Sequence, residues 1–265
     1  MSARITCILK DCLSRLTYVL LQPKFQDTVL IFAHMRCGSS ALTQVLSTHA
    51  DLSGFGEAHI AYDAPHKLGQ LKLSVMRHAT SSSRSDRLLD KVLHNQYDRD
   101  LPDRFLEAKA LFVLREPKAT IQSITNLFTR LGSHEYASHE QSAKYYIARV
   151  QRMMQLWLQF PKSRRLFIAH ERLMKDTDQC LAEISTLLEL SKPLVNEYQP
   201  TKKIRRGSGD PLVSTRLSKI VPQKRSGSIE LSINPDLMAQ VEATYLEALK
   251  LFFCEQSTHT GVQNA

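Results

Sequence analysis

Arg36, Cys37, Gly38, Ser39 and Ser40 follow one another between an apolar run and a helical pattern. Residues of these types in this order could hold a phosphate-like anion. Arg36 supplies a fixed positive charge, Gly38 lets the backbone approach a ligand closely, and the two hydroxyls donate. The N–H groups of a helix start point at the same place. The same stretch also reads as an ordinary turn after a buried strand. Cys37 is then a small packing residue or, beside Arg36 and a helix N-terminus, a thiol of lowered pKa. A Walker loop is excluded, because the G-x-x-x-x-G-K-S/T pattern is missing and Ser39 stands where its lysine belongs.

Further along the chain, other residues suit the same chemistry. Glu57 follows Gly54 and Gly56 in a tight loop, as a general base or as a solvated carboxylate. Lys91 lies near the end of the apolar stretch Leu88 to Leu93, with His94 just beyond it. Arg115 ends the apolar run Lys109 to Leu114, and Ser123 comes eight residues later. His170 follows another short apolar run, Arg165 to Ala169. Arg205, Arg206 and Gly207 open a loop-like stretch, 201–229, that holds eight basic residues against one acid, Asp210. Such a patch suits nucleic acid, an anionic membrane or a phosphorylated small molecule.

These residues need a frame, and the pattern supplies one. Val29 to Ala33, Leu88 to Leu93, Lys109 to Leu114 and Arg165 to Ala169 read as buried strands separated by helical periodicity, which predicts a parallel sheet flanked by helices. Pro117 opens a helix, Pro161 stops one, and Pro235 begins a closing one. The 265 residues show no repeat and no boundary, so one domain, 1–265, is expected. Tyr62 to Arg87, with its serine run, reads as a polar surface insertion near the site. Residues 1–26 form an N-terminal amphipathic segment, expected to pack on the domain, with peripheral membrane contact through 1–22 as the alternative. Charges interrupt that segment, so neither a secretory signal nor a membrane span is expected. Five scattered cysteines outside any C-x-x-C pair fit free thiols and a cytoplasmic location. No metal-ligand spacing occurs, so no metal is expected.

Taken in order, the motifs resemble the sulfotransferases that use 3′-phosphoadenosine-5′-phosphosulfate (PAPS). Arg36 to Ser40 is similar to their phosphosulfate loop: a basic residue, any residue, Gly, then two hydroxyl residues. Arg115 and Ser123 resemble the second signature, which holds the 3′-phosphate. Arg205, Arg206 and Gly207 resemble the basic turn that covers the same phosphate, and Lys91 matches a lysine near the transferred sulfuryl group. The resemblance implies a P-loop-like α/β fold with helices on both faces of the sheet and 201–229 as a cofactor-covering loop. It implies a cofactor site formed by Arg36, Cys37, Gly38, Ser39, Ser40, Ala41, Arg115, Ser123, His170 (where relatives often place a Tyr near adenine), Arg205, Arg206 and Gly207.

One departure from that pattern bears on the subtype the resemblance implies. The histidine that cytosolic small-molecule members place two residues after the lysine is Leu93 here, with His94 one residue further on. Phe55 to Glu57 is instead similar to carbohydrate and tyrosyl-protein sulfotransferases, where a glutamate after the first helix is the base. The resemblance therefore implies Glu57 as base, His94 as runner-up, Arg36 and Lys91 as charge stabilisers, and an acceptor hydroxyl on a sugar, glycolipid or polysaccharide. Rival functions are another P-loop phosphotransferase and a nucleotide- or nucleic-acid-binding protein of the same fold without catalysis. Nucleic acid is not the expected partner, for lack of a base-reading motif.

Overall fold

Four apolar runs build the sheet: β1 (Thr28–Ala33), β2 (Leu88–Val92), β3 (Lys109–Leu114) and β4 (Arg165–Ala169). The computed structural model describes residues 3–78, 85–198, 218–222 and 230–257, with side chains from Ile8 onward. Among these residues the sheet is parallel throughout, in the order β2-β1-β3-β4. Every residue of β1 and β2 is buried, as a parallel strand covered on both faces requires.

Alternation along the strands sorts the core into two layers. Leu30 and Phe32 face a cluster with Phe112, Phe167, Trp157 and Phe252. Val29, Ile31 and Ala33 face another with Leu111, Ile168, Leu42 and Ile184. The first layer is covered by α3 (Lys67–His78), α5 (His139–Gln159) and α8 (Pro235–Ser257), the second mainly by α2 (Ser39–Thr48) and α7 (Thr177–Leu187). Within the first layer the Phe112 ring lies 5.2 Å from Trp157 and 5.3 Å from Phe32.

The helix between β3 and α5, α4 (Pro117–Arg130), starts as the sequence predicts. Pro117 takes the first turn, and the Glu116 carboxylate accepts from the Lys118 and Ala119 N–H groups, satisfying donors the helix leaves open. The short α6 (His170–Lys175) follows β4 directly.

The segment Tyr62 to Arg87 departs from the expected surface insertion. It contains α3, which buries Leu68, Leu71 and Val75 in the first core layer. Three apolar residues at helical spacing among lysines and histidines were enough to fold it into the core. On its outer side lies α1 (Ala3–Leu21), packed on α3. A side chain on Gly69 would collide with the Ser14 backbone, so the two helices meet closely because Gly69 has none. Residues 201–217 and 223–229 of the basic loop lie outside the described residues, and Arg205, Arg206 and Gly207 with them.

The connections run outward from the middle: β2 lies on one side of β1 and β3 on the other. This reversal of strand order makes a switch point between the carboxyl ends of β1 and β3, the place where α/β sheets bind ligands.

Candidate active site

The turn after β1 sits at that switch point, held by side chains from four other elements. His34 is fully buried. Its Nδ1–H donates to the Met35 carbonyl at 2.8 Å, and its Nε2 accepts the Arg115 N–H at 3.0 Å. That pairing fixes the neutral tautomer, and burial pushes the ring pKa down to about 3. From α5, the Tyr145 hydroxyl accepts the Met35 N–H at 2.9 Å and donates to Leu93 O at 2.8 Å. Arg149, one turn further along the same helix, is buried and donates to Ala33 O at 2.9 Å and Val92 O at 2.8 Å. Its charge meets Asp98 Oδ2 at 2.7 Å. The ends of β1 and β2 are thereby clamped side by side.

Within the turn, Arg36 adopts a left-handed backbone, φ 65°, and its Nε donates to Ser123 Oγ of α4 at 2.9 Å. Arg115 Nη1 donates to Arg36 O at 2.9 Å. Arg36, Arg115 and Ser123 thus come together. Gly38 has φ 88°, and a Cβ there would lie 2.9 Å from His170 Nδ1. His170 contacts Cys37 O at 2.9 Å through that same nitrogen. It supports the turn from the start of α6. Cys37 is fully buried, and burial pushes its thiol pKa up, so a low-pKa nucleophile is not what this position makes. Ser39, Ser40 and Ala41 form the first turn of α2.

Lys91 and Glu57 meet beside the turn. Lys91 is 3% exposed, and its ammonium donates to Ser40 Oγ at 3.0 Å. Glu57 Oε1 lies 3.9 Å from the same Nζ, buried and accepting no hydrogen bond from any described residue. The next side chain along β2, Asp90, holds the Glu57 loop from beneath. Its Oδ1 accepts the Ala58 N–H at 2.8 Å and its Oδ2 the Tyr62 hydroxyl at 2.6 Å. Burial raises the Asp90 pKa to about 6 despite those two donors.

His94, just past β2, lines a cavity of about 680 Å³ together with Tyr97, Tyr136, Tyr145, Glu135 and Lys144. Burial lowers the His94 pKa, with the Glu57 carboxylate pulling the other way. The cavity and the turn share Tyr145 as a wall.

Sequence reasoning missed four residues that shape this site: His34, Asp90, Tyr145 and Arg149. Asp90 had a signal, an acid inside an otherwise apolar strand. Arg149 had another, since it falls on the same helical face as Tyr146 and Met153.

The fold and the turn define an α/β protein with a strand–turn–helix at the switch point of a parallel sheet. The chain belongs to the sulfotransferase family, whose model matches residues 60–193, just over half of its length. That span includes Lys91, Arg115 and Ser123. Solved structures agree on the fold. The sulfotransferase domain of a Synechococcus olefin synthase is 18% identical, with a TM-score of 0.53 over 82% of this chain and 93% of that one. The sulfotransferase domain from the curacin biosynthetic pathway is 16% identical, with a TM-score of 0.51 over 83% and 96%. A mouse sulfotransferase complexed with PAP is 13% identical, with a TM-score of 0.53 over 89% and 90%. At these identities the likeness shows the fold alone. No curated protein matches the chain as a relative.

Proposed function

We propose that the chain transfers the sulfuryl group of PAPS to a hydroxyl of a sugar, glycolipid or polysaccharide. The observation that carries this reading is the meeting of Lys91 with both Ser40 and Glu57 beside the turn. The residues suit the donor. Among the described residues the buried Lys91 ammonium makes one hydrogen bond, to Ser40 Oγ. The PAP complex of the mouse enzyme, which shares the fold, supports a donor of this class.

When bound, PAPS supplies the sulfuryl group. Glu57 accepts the proton of the acceptor hydroxyl as its oxygen bonds to sulfur. Arg36 and Lys91, with N–H groups of the turn, stabilise the charge on the sulfuryl oxygens and on the phosphate that departs. Arg115 and Ser123 hold the 3′-phosphate. Tyr97, Tyr136 and Tyr145 give the neighbouring cavity rigid aromatic faces and polar tips, a lining suited to the apolar faces and hydroxyls of a sugar ring. His94 is the second reading for the base, favoured by its place in that cavity and its lowered pKa.

The test is acceptor-dependent conversion of PAPS to PAP, measured across a panel of saccharides, glycolipids and small phenols. Turnover with saccharide or glycolipid, lost in Lys91→Ala, supports the reading. Turnover with phenols alone contradicts the acceptor class.

A further inference from the structure

The N-terminal helix α1 is docked with its polar side inward. Ser14 is fully buried and Thr17 is 5% exposed. Ser14 Oγ donates to His66 O at 2.6 Å. Asp11 takes a hydrogen bond from His66 Nε2 at 2.7 Å and from Lys67 Nζ at 3.0 Å. These contacts hold the Asp11 carboxyl well below the usual carboxylate range, with Arg15 the largest contributor. The close approach at Gly69 locks the same face against α3. These contacts turn the opposite face of α1 outward.

That outward face is apolar. Ile8, Leu9, Leu13, Leu16, Val19 and Leu20 are all exposed, Leu20 by 68% and Val19 by 65%. At about 100° per residue these six fall within one arc of about 140°. A surface helix of a globular protein shows the reverse arrangement, its apolar stripe inward. Six large apolar side chains on one helix face exceed the scattered exposure that monomers tolerate.

The charges around the arc identify what covers it. Lys10 and Arg15 border it on either side and are exposed. Arg15 shares Asp11 with Lys67, so two cations meet one acid there. Over residues 1–24 the basic residues Arg4, Lys10, Arg15 and Lys24 oppose Asp11 alone. No described helix is long and apolar enough to cross a membrane. An apolar face flanked by cations on such a helix is the pattern of a segment lying in the plane of an anionic bilayer.

We propose that α1 is a membrane-docking surface: its Ile8–Leu20 face inserts among the acyl chains of an anionic bilayer while Lys10 and Arg15 meet the headgroups. The domain stays outside the bilayer, held to it through Ser14 and Asp11.

The test is co-sedimentation of the full chain with vesicles of phosphatidylcholine and phosphatidylglycerol in about equal parts, compared with phosphatidylcholine alone. The mixed vesicles should bind the protein more tightly, and salt should weaken the binding. Leu9→Glu with Leu16→Glu should reduce binding by roughly tenfold or more without lowering the melting temperature, since both side chains are exposed. A Leu16→Trp variant should keep binding and shift its emission to the blue with vesicles, against the buried Trp157 background. The proposal is overturned if the wild type ignores both vesicles or if the double glutamate variant binds as well as wild type. It is overturned equally if light scattering shows a dimer that the glutamates abolish and vesicles do not bind, which makes the occupant a second copy.

Discussion

Glu57 Oε1 lies 3.9 Å from Lys91 Nζ, a carboxylate of the loop after α2 set against an ammonium at the end of β2. Neither side chain reaches bulk water freely, the Glu57 side chain being 11% exposed and that of Lys91 1%. The pair sets a carboxylate next to an ammonium, and the ammonium reaches the turn through Ser40.

Glu57→Gln keeps size and hydrogen bonding but removes the proton acceptor. Turnover should fall by about 10²–10⁴, with nucleotide affinity unchanged within a few-fold. His94→Ala, in the same assay, tests the second reading. Near-normal turnover in Glu57→Gln beside a folded but inactive His94→Ala moves the base to His94.

The clamp at the strand ends is a stability prediction. Arg149→Ala leaves the buried Asp98 with Arg152 as its remaining cation and frees the Ala33 and Val92 carbonyls. The expected loss is about 3–5 kcal/mol, measured by urea unfolding. A loss below about 1 kcal/mol shows that the clamp is not what fixes the two strand ends.

Much of the frame was legible in the sequence because its physics is local. β3 and β4 match their apolar runs residue for residue, and Pro117 and Pro161 mark helix ends as their missing N–H groups dictate. The Arg36, Arg115 and Ser123 cluster was legible as motif spacing. What stayed hidden depends on contacts between distant segments. His34, Tyr145 and Arg149 act through bonds across the sheet ends. α3 was masked by its charged residues, and the inward polar face of α1 follows from Gly69 and His66, far along the chain.

Gly38 is expected to resist substitution for two separable reasons. Its φ of 88° strains any side chain, and a Cβ would press on His170. Gly38→Ala should cost about 1–2 kcal/mol plus the steric conflict, and weaken nucleotide binding. Adding His170→Ala should recover only the steric part. Full recovery in the double variant shows that the backbone at Gly38 is unstrained.

Stability should also fall in acid through His34. Its folded pKa of about 3 lies below the unfolded value near 6.5. Below that unfolded value the unfolded chain binds a proton that the native ring refuses, so this contribution is full above about pH 6.5 and is lost as pH drops toward 3. The slope from this group is at most about 1.4 kcal/mol per pH unit. A His34→Asn variant should show a shallower loss between these limits, followed by denaturant unfolding at each pH. Parallel curves for the two proteins contradict a buried neutral His34.

The central claim is a site built for a nucleotide carrying a 3′-phosphate, and PAP and AMP differ in that group alone. Calorimetric titration of each into the wild type and into Arg115→Ala tests it most directly. The account predicts that PAP binds the wild type at least tenfold more tightly than AMP. Arg115→Ala should cost PAP about 1.5–3 kcal/mol while changing AMP little. Equal affinities for PAP and AMP in the wild type contradict it.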